Sequence, residues 1–149
     1  MDTLESRIDS IVAEATPGRV ILSRSNDESC ARLVLHAARP PKNSEGEPLL
    51  QVNIYHEGDV DLFINSHFGL TELDGTDPDT REMISDWTRA VLFSGYEELV
   101  ATAFGRPIKL ALRLNRNGPV IRTRGFWTNA LSSSKRWTFV RPVASIDRS

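Results

Sequence analysis

The sequence predicts an α+β fold: a mostly antiparallel sheet of six to seven strands with a short N-terminal helix and one long central helix, in the order α-ββββ-α-βββ. Two stretches with apolar residues at helical spacing predict the helices. Runs in which apolar and polar residues alternate around turn-forming residues predict the strands. A length of 149 residues fits one domain spanning 1–149.

The first helix rests on Leu4, Ile8, Ile11, Val12 and Ala15, with Asp2 or Thr3 available as cap and Pro17-Gly18 ending the pattern. Arg19 to Arg24 and Ala31 to Ala38 read as strands joined through Ser25-Asn26-Asp27-Glu28-Ser29. Arg39 to Pro48, rich in proline and polar residues, is a loop. Leu50, Val52, Ile54 and His56, then Val60, Leu62 and Ile64, alternate around Glu57-Gly58-Asp59. A loop of those three residues sets Val60 beside His56 and Leu62 beside Ile54, leaving Gln51, Asn53, Tyr55, Asp61, Phe63 and Asn65 on the other face.

Asp77-Pro78-Asp79 combines a capping carboxylate, a proline at the first helical position and an acid suited to the helix dipole. Ile84, Trp87, Val91, Leu99 and Ala103, flanked by Met83, Val100 and Phe104, form the stripe of the long helix, which Gly105 ends. Unbroken it measures about 40 Å. That is long for this chain, so Ser94-Gly95 is expected to bend or interrupt it. Beyond it, Ile108, Leu110, Leu112 and Leu114 face one way and Lys109 and Arg113 the other. The turn signal Asn115-Arg116-Asn117-Gly118 then pairs Leu112 with Ile121 and Lys109 with Arg124. After Ser132-Ser133-Ser134, Trp137 to Val140 suggest a last strand, and Ala144 to Ser149 a frayed tail.

Several classes are excluded or disfavoured. No run approaches the roughly 20 apolar residues of a membrane helix, so no membrane partner is expected. Met1 to Arg7 lack the basic start and apolar stretch of a secretory leader, which makes the cytoplasm the expected location. Cys30 is the only cysteine, so no intrachain disulfide forms. The glycines build neither a phosphate loop nor a dinucleotide fingerprint, and no cofactor is implied.

Charge divides the chain. Residues 1–105 hold 19 acidic and 8 basic side chains, a net of -11, and residues 106–149 hold 1 acidic and 10 basic, a net of +9. In the predicted register Lys109, Arg113, Arg122 and Arg124 share one face with Val120 and Phe126. Like charges opposite one another on paired strands destabilise, so the cluster calls for an anionic neighbour. That neighbour is either intramolecular, supplied by Glu57, Asp61 and the acids of the long helix, or another molecule.

Other clusters carry less. His56, Asp59, Asp61 and His67 are metal-ligand or acid-base types around one turn, but the expected register puts His56 and Asp61 on opposite faces. His36 is expected to be structural, and Cys30 a small packed side chain. Ser66 beside His67 has no geometric support, since neighbours on a strand face opposite ways, and no catalytic or metal-binding set is assigned. The reading is therefore a small non-enzymatic protein-binding module, of inhibitor, immunity or chaperone type. It recognises an acidic partner through Lys109, Arg113, Arg116, Arg122, Arg124, Phe126, Lys135 and Arg136, extended by Arg141. One alternative is a nucleic-acid binder that stacks bases on Phe126, Trp127 and Trp137. Another is a small-molecule binder or enzyme with a pocket between helix and sheet reaching Tyr96 or the His56 turn. The oligomeric state is open.

Overall fold

The computed structural model describes residues 3–39, 47–65, 68–103, 105–122 and 135–145. Helix α1 (Leu4–Ala13) starts at a reciprocal cap: the Thr3 hydroxyl accepts from Ser6 N, and Ser6 Oγ accepts from Thr3 N at 3.0 Å. Leu4, Ile8 and Ile11 turn inward as their spacing predicts. Strands β1 (Val20–Asn26), β2 (Cys30–Ala37), β3 (Leu50–Tyr55), β4 (Asp59–Ile64) and β5 (Phe68–Asp74) then form an antiparallel sheet in chain order. Its inner face buries Leu33, Leu35, Leu50, Val52, Val60, Leu62 and Ile64 against both helices.

Two details of this sheet differ from expectation. The β3–β4 loop is His56 to Gly58, so Ile54 lies opposite Val60 and Val52 opposite Leu62, a slip of two residues. A slip of two preserves the faces, and the same apolar set stays inside. Gly58, at φ 105°, supplies the left-handed residue this loop needs. Strand β5 was not anticipated. A bulge places Thr71 and Glu72 against Asp61, interrupting the alternation that marks a strand. Asp61 Oδ1 accepts from Glu72 N at 3.0 Å, and Glu72 has φ 58°.

Helix α2 (Pro78–Arg89) begins where Asp77 caps the Asp79 amide at 2.9 Å, and it buries Ile84 and Trp87. The chain continues as a π-helical turn, Ala90–Ser94, closed by Gly95 N donating to Ala90 O at 2.7 Å. Here the expected long helix ends: Tyr96–Ala103 is strand β6, not helix. Gly95 takes φ 77°, and an added Cβ would stand 2.6 Å from Val140 O. Strand β6 pairs on both sides, with β7 (Arg106–Arg113) and β9 (Lys135–Val140), and β8 (Val120–Arg122) completes a second sheet of order β8-β7-β6-β9. Among the described residues, nine strands in two sheets therefore stand where a single sheet of six or seven was expected.

The sheets share a core. Tyr96, Leu112 and Ile121 join the cluster formed by α1, α2 and the first sheet, with the Trp87 and Tyr96 rings edge to face at 5.6 Å. The C-terminal segment is not frayed at its start. Val143 N and Ala144 N donate to Val91 O and Leu92 O at 3.2 and 2.9 Å, satisfying carbonyls left open where the helix ends, and Ser145 O accepts from Thr16 N. Residues 146–149, and 40–46 of the proline-rich loop, lie outside the described residues. Among the described residues no helix is long and apolar enough to cross a membrane.

Two predictions follow from these local constraints. Gly95→Ala is expected to lower the denaturant midpoint by an equivalent of more than about 1 kcal/mol, because both the φ value and the approach of β9 oppose a side chain. In the β1–β2 turn, Asp27 accepts from Cys30 N, Ser29 Oγ and Ser29 N at 2.9, 2.8 and 2.7 Å, which lowers its pKa to about 2. A carboxyl whose pKa is depressed on folding stabilises above its unfolded value and loses that contribution as pH falls through the folded value. The stability gap between wild type and Asp27→Ala, followed by denaturation from about pH 5 downward, is thus expected to narrow toward about pH 2.

Candidate functional site

The second sheet gathers most of the basic half of the chain. Its strands carry Arg106, Lys109, Arg113, Arg122, Lys135 and Arg136 against only Glu97 and Glu98. The division of charge along the sequence thus becomes a division between sheets.

The expected β7–β8 register is present: Leu112 lies opposite Ile121, Arg113 opposite Val120 and Ala111 opposite Arg122. Asn115 builds the turn, with its carbonyl accepting from Gly118 N at 3.1 Å and its side chain from Asn117 N at 3.0 Å. The cationic face itself is split. Leu99 pairs with Ala111 but Val100 with Lys109, so Leu110 is an extra, bulged residue. Past the bulge Lys109 belongs to the opposite face from Arg113. Their partners confirm it: Lys109 Nζ lies 3.7 Å from Glu98 Oε2 and Arg113 Nη2 2.6 Å from Glu97 Oε2, and consecutive residues of β6 face opposite ways. Glu98 Oε2 is buried without a hydrogen bond, so the contact with Lys109 is Coulombic only.

Across the outer face run two rows of paired residues. One is Val120, Arg113, Glu97 and Phe139, and the next is Arg122, Ala111, Leu99 and Trp137. Arg113 is the hinge of this face. Its Nε and Nη2 grip one Glu97 oxygen at 2.8 and 2.6 Å, and its guanidinium lies over the Trp137 ring, 3.8 Å from the centroid. Phe139 is seated on Gly95, where an added Cβ would come within 2.7 Å of its ring, yet it is 58% exposed. Val120 is also exposed. A cleft of about 510 Å³ opens beside Phe139, lined by Asp86, Arg89, Ser94, Glu97 and Leu114. Partial burial and Glu82 raise the Asp86 carboxyl above its ordinary pKa, with Arg89 opposing.

Arg122 and Lys135 are exposed and make no ion pair among the described residues. Ala101 pairs with Lys135 and Ala111 with Arg122, which puts both cations on this outer face. Arg136, paired with Val100, belongs with Lys109 on the other side, and Arg116 projects from the turn. Arg124, Phe126 and Trp127 lie outside the described residues. Seating of Phe139 on Gly95 depends on the β6–β9 pairing, which joins residues distant in sequence.

Among the described residues, His56, Asp59 and Asp61 do not converge. His56 is exposed in its turn, His67 and Ser66 lie outside the described residues, and Asp59 stands opposite Asp74. Asp61 is committed to the bulge and to Tyr55, whose hydroxyl donates to it at 2.9 Å and is held protonated to higher pH. His36 is half-buried on β2 and Cys30 is buried. Among the described residues no group of three or more potential ligands is placed to hold a metal ion. Tyr96 is packed in the core with its hydroxyl accepting from Asn65 at 3.1 Å, and burial raises its pKa.

No family model, curated protein or solved structure matches this chain. Its class is therefore defined by geometry: an α+β protein with two antiparallel sheets, one of which presents a cationic face bearing the exposed Phe139 ring beside a half-buried Trp137.

If the Arg113 contacts organise this face, Arg113→Met is expected to lower stability by about 1–3 kcal/mol through loss of a charge-assisted bond and the ring contact. Arg113→Lys, which keeps charge but not the planar fork, should fall between the two. Urea denaturation of the three proteins checks the order.

Proposed function

We propose that this chain is a non-enzymatic protein-binding module, of inhibitor, immunity or chaperone type, that docks an acidic protein surface on the outer face of the second sheet. The observation that carries the reading is Phe139, more than half exposed while seated on Gly95, on the same face as Arg122 and Lys135. Aromatic and arginine side chains held in place before binding contribute most of the affinity at protein interfaces, because little freedom is lost when the partner arrives. Cations on the same face, with no ion pair among the described residues, raise the encounter rate with an acidic surface. Arg113 is spent on Glu97 and positions Trp137, so the partner meets Arg122, Lys135 and the rings rather than the whole cluster.

A single-stranded nucleic acid is the second reading, favoured by Trp137 and Phe139 alternating on one face of β9. Salt separates it from the first: binding of an oligonucleotide falls steeply with ionic strength.

The test is affinity capture from the native cells with wild type and with the triple variant Phe139→Ala, Arg122→Glu, Lys135→Glu. One stoichiometric acidic protein retained by wild type and lost by the variant is expected, an affinity drop of at least about 30-fold for an anchor worth about 2 kcal/mol. Equal retention by both proteins, or no partner at moderate salt, contradicts the proposal.

A further inference from the structure

We propose that β1 is an interface between two copies of this chain, which join edge to edge through antiparallel β1 strands about a two-fold axis at Ser23. This surface is separate from the second-sheet face. Exposed sheet edges are templates for pairing, and proteins guard them with charge, bulges, prolines or short strands. Among the described residues, β5 carries the bulge opposite Asp61, and β9 carries Lys135 and Arg136. Strand β1 has seven residues in unbroken register with β2, no proline or lysine, and one charge, Arg24, already paired with Asp9.

Hydrogen bonding determines which backbone groups face outward. Ala38 N donates to Arg19 O at 2.9 Å and Asp27 N to Cys30 O at 3.0 Å, so the odd-numbered residues of β1 face β2. Val20, Leu22, Arg24 and Asn26 therefore turn their N–H and C=O groups away from it. With Ser23 opposite Ser23 of the second copy, Leu22 meets Arg24 and Val20 meets Asn26, and every outward group on both strands finds a partner. The same register sets Arg19 across from Asp27 at both ends, an exchange of opposite charges between exposed residues. Asp27 is ionised over the physiological range. Moving the axis to Arg24 sets like charges face to face, and moving it to Leu22 leaves Asn26 unpaired. Ile21, 52% exposed on the monomer, gains a neighbour in Ser25 of the second copy.

Cross-linking reads the register directly. Ser23 lies on the axis as a non-hydrogen-bonded pair, for which Cα atoms stand about 4.5 Å apart, within disulfide reach. Cys30, the only native cysteine, is buried and does not compete. The expected results are a mass near twice 16.7 kDa by light scattering, and ready oxidation of Ser23→Cys to a covalent dimer. Ser25→Cys stays uncross-linked under the same oxidation. Ser23→Lys, an exposed substitution, gives the monomer mass with an unchanged circular dichroism spectrum and a melt lowered by the lost dimer contacts. A monomeric wild type, a dimer that survives Ser23→Lys, or Ser25→Cys cross-linking as readily as Ser23→Cys overturns the proposal. The triple variant of the second-sheet face leaves dimerisation intact, so the two proposals fail independently.

Discussion

Gly95 is the constraint on which the rest of the structure depends. It stands where a π-helical turn closes on Ala90, takes a φ of 77°, and lies so close to β9 that a side chain would strike Val140 O. The helix has to stop there and the chain has to leave it extended. Everything in the second sheet follows, since β6 is the strand that β7 and β9 pair with. The open carbonyls at the end of the helical segment are then taken up by Val143 and Ala144, which draws the C-terminal segment onto the π-helical turn.

Turning residues 96–103 from helix to strand also decides the electrostatics. Glu97 and Glu98 would sit on a solvated helix surface; on β6 they stand beside the basic strand β7, one on each face. Each neutralises one cation that the bulge at Leu110 has sent to its side. The anionic neighbour demanded by the basic cluster is thus intramolecular for Lys109 and Arg113. Among the described residues Arg122 and Lys135 pair with no carboxylate, and they share the outer face with Trp137 and Phe139.

Much of this was legible from residues alone, and the exceptions share a cause. Periodicity and capping residues located α1, the start of α2 and the strands of both clear hairpins, including the pairing of Leu112 with Ile121. Ser94-Gly95 was identifiable as an interruption. The direction after it was not, because Leu99, Val100 and Ala103 satisfy helical spacing, while the two-sided pairing that makes them strand comes from residues distant in sequence. Bulges hid β5 and reversed Lys109 for the same reason: one extra residue inverts the alternation from which faces are read. Of the candidate site, the cations were visible in the sequence. Seating of Phe139 on Gly95 and of Arg113 on Trp137 required the fold.

The central claim is that the chain after Gly95 is the inner strand of a basic sheet. A nuclear Overhauser experiment on the isotopically labelled protein tests it most directly. The account predicts backbone contacts from Leu99 to both Ala111 and Trp137, the residues opposite it on the two flanking strands. Contacts instead between Glu97 and Val100, the i to i+3 signature of a helix continuing through Gly95, would contradict it.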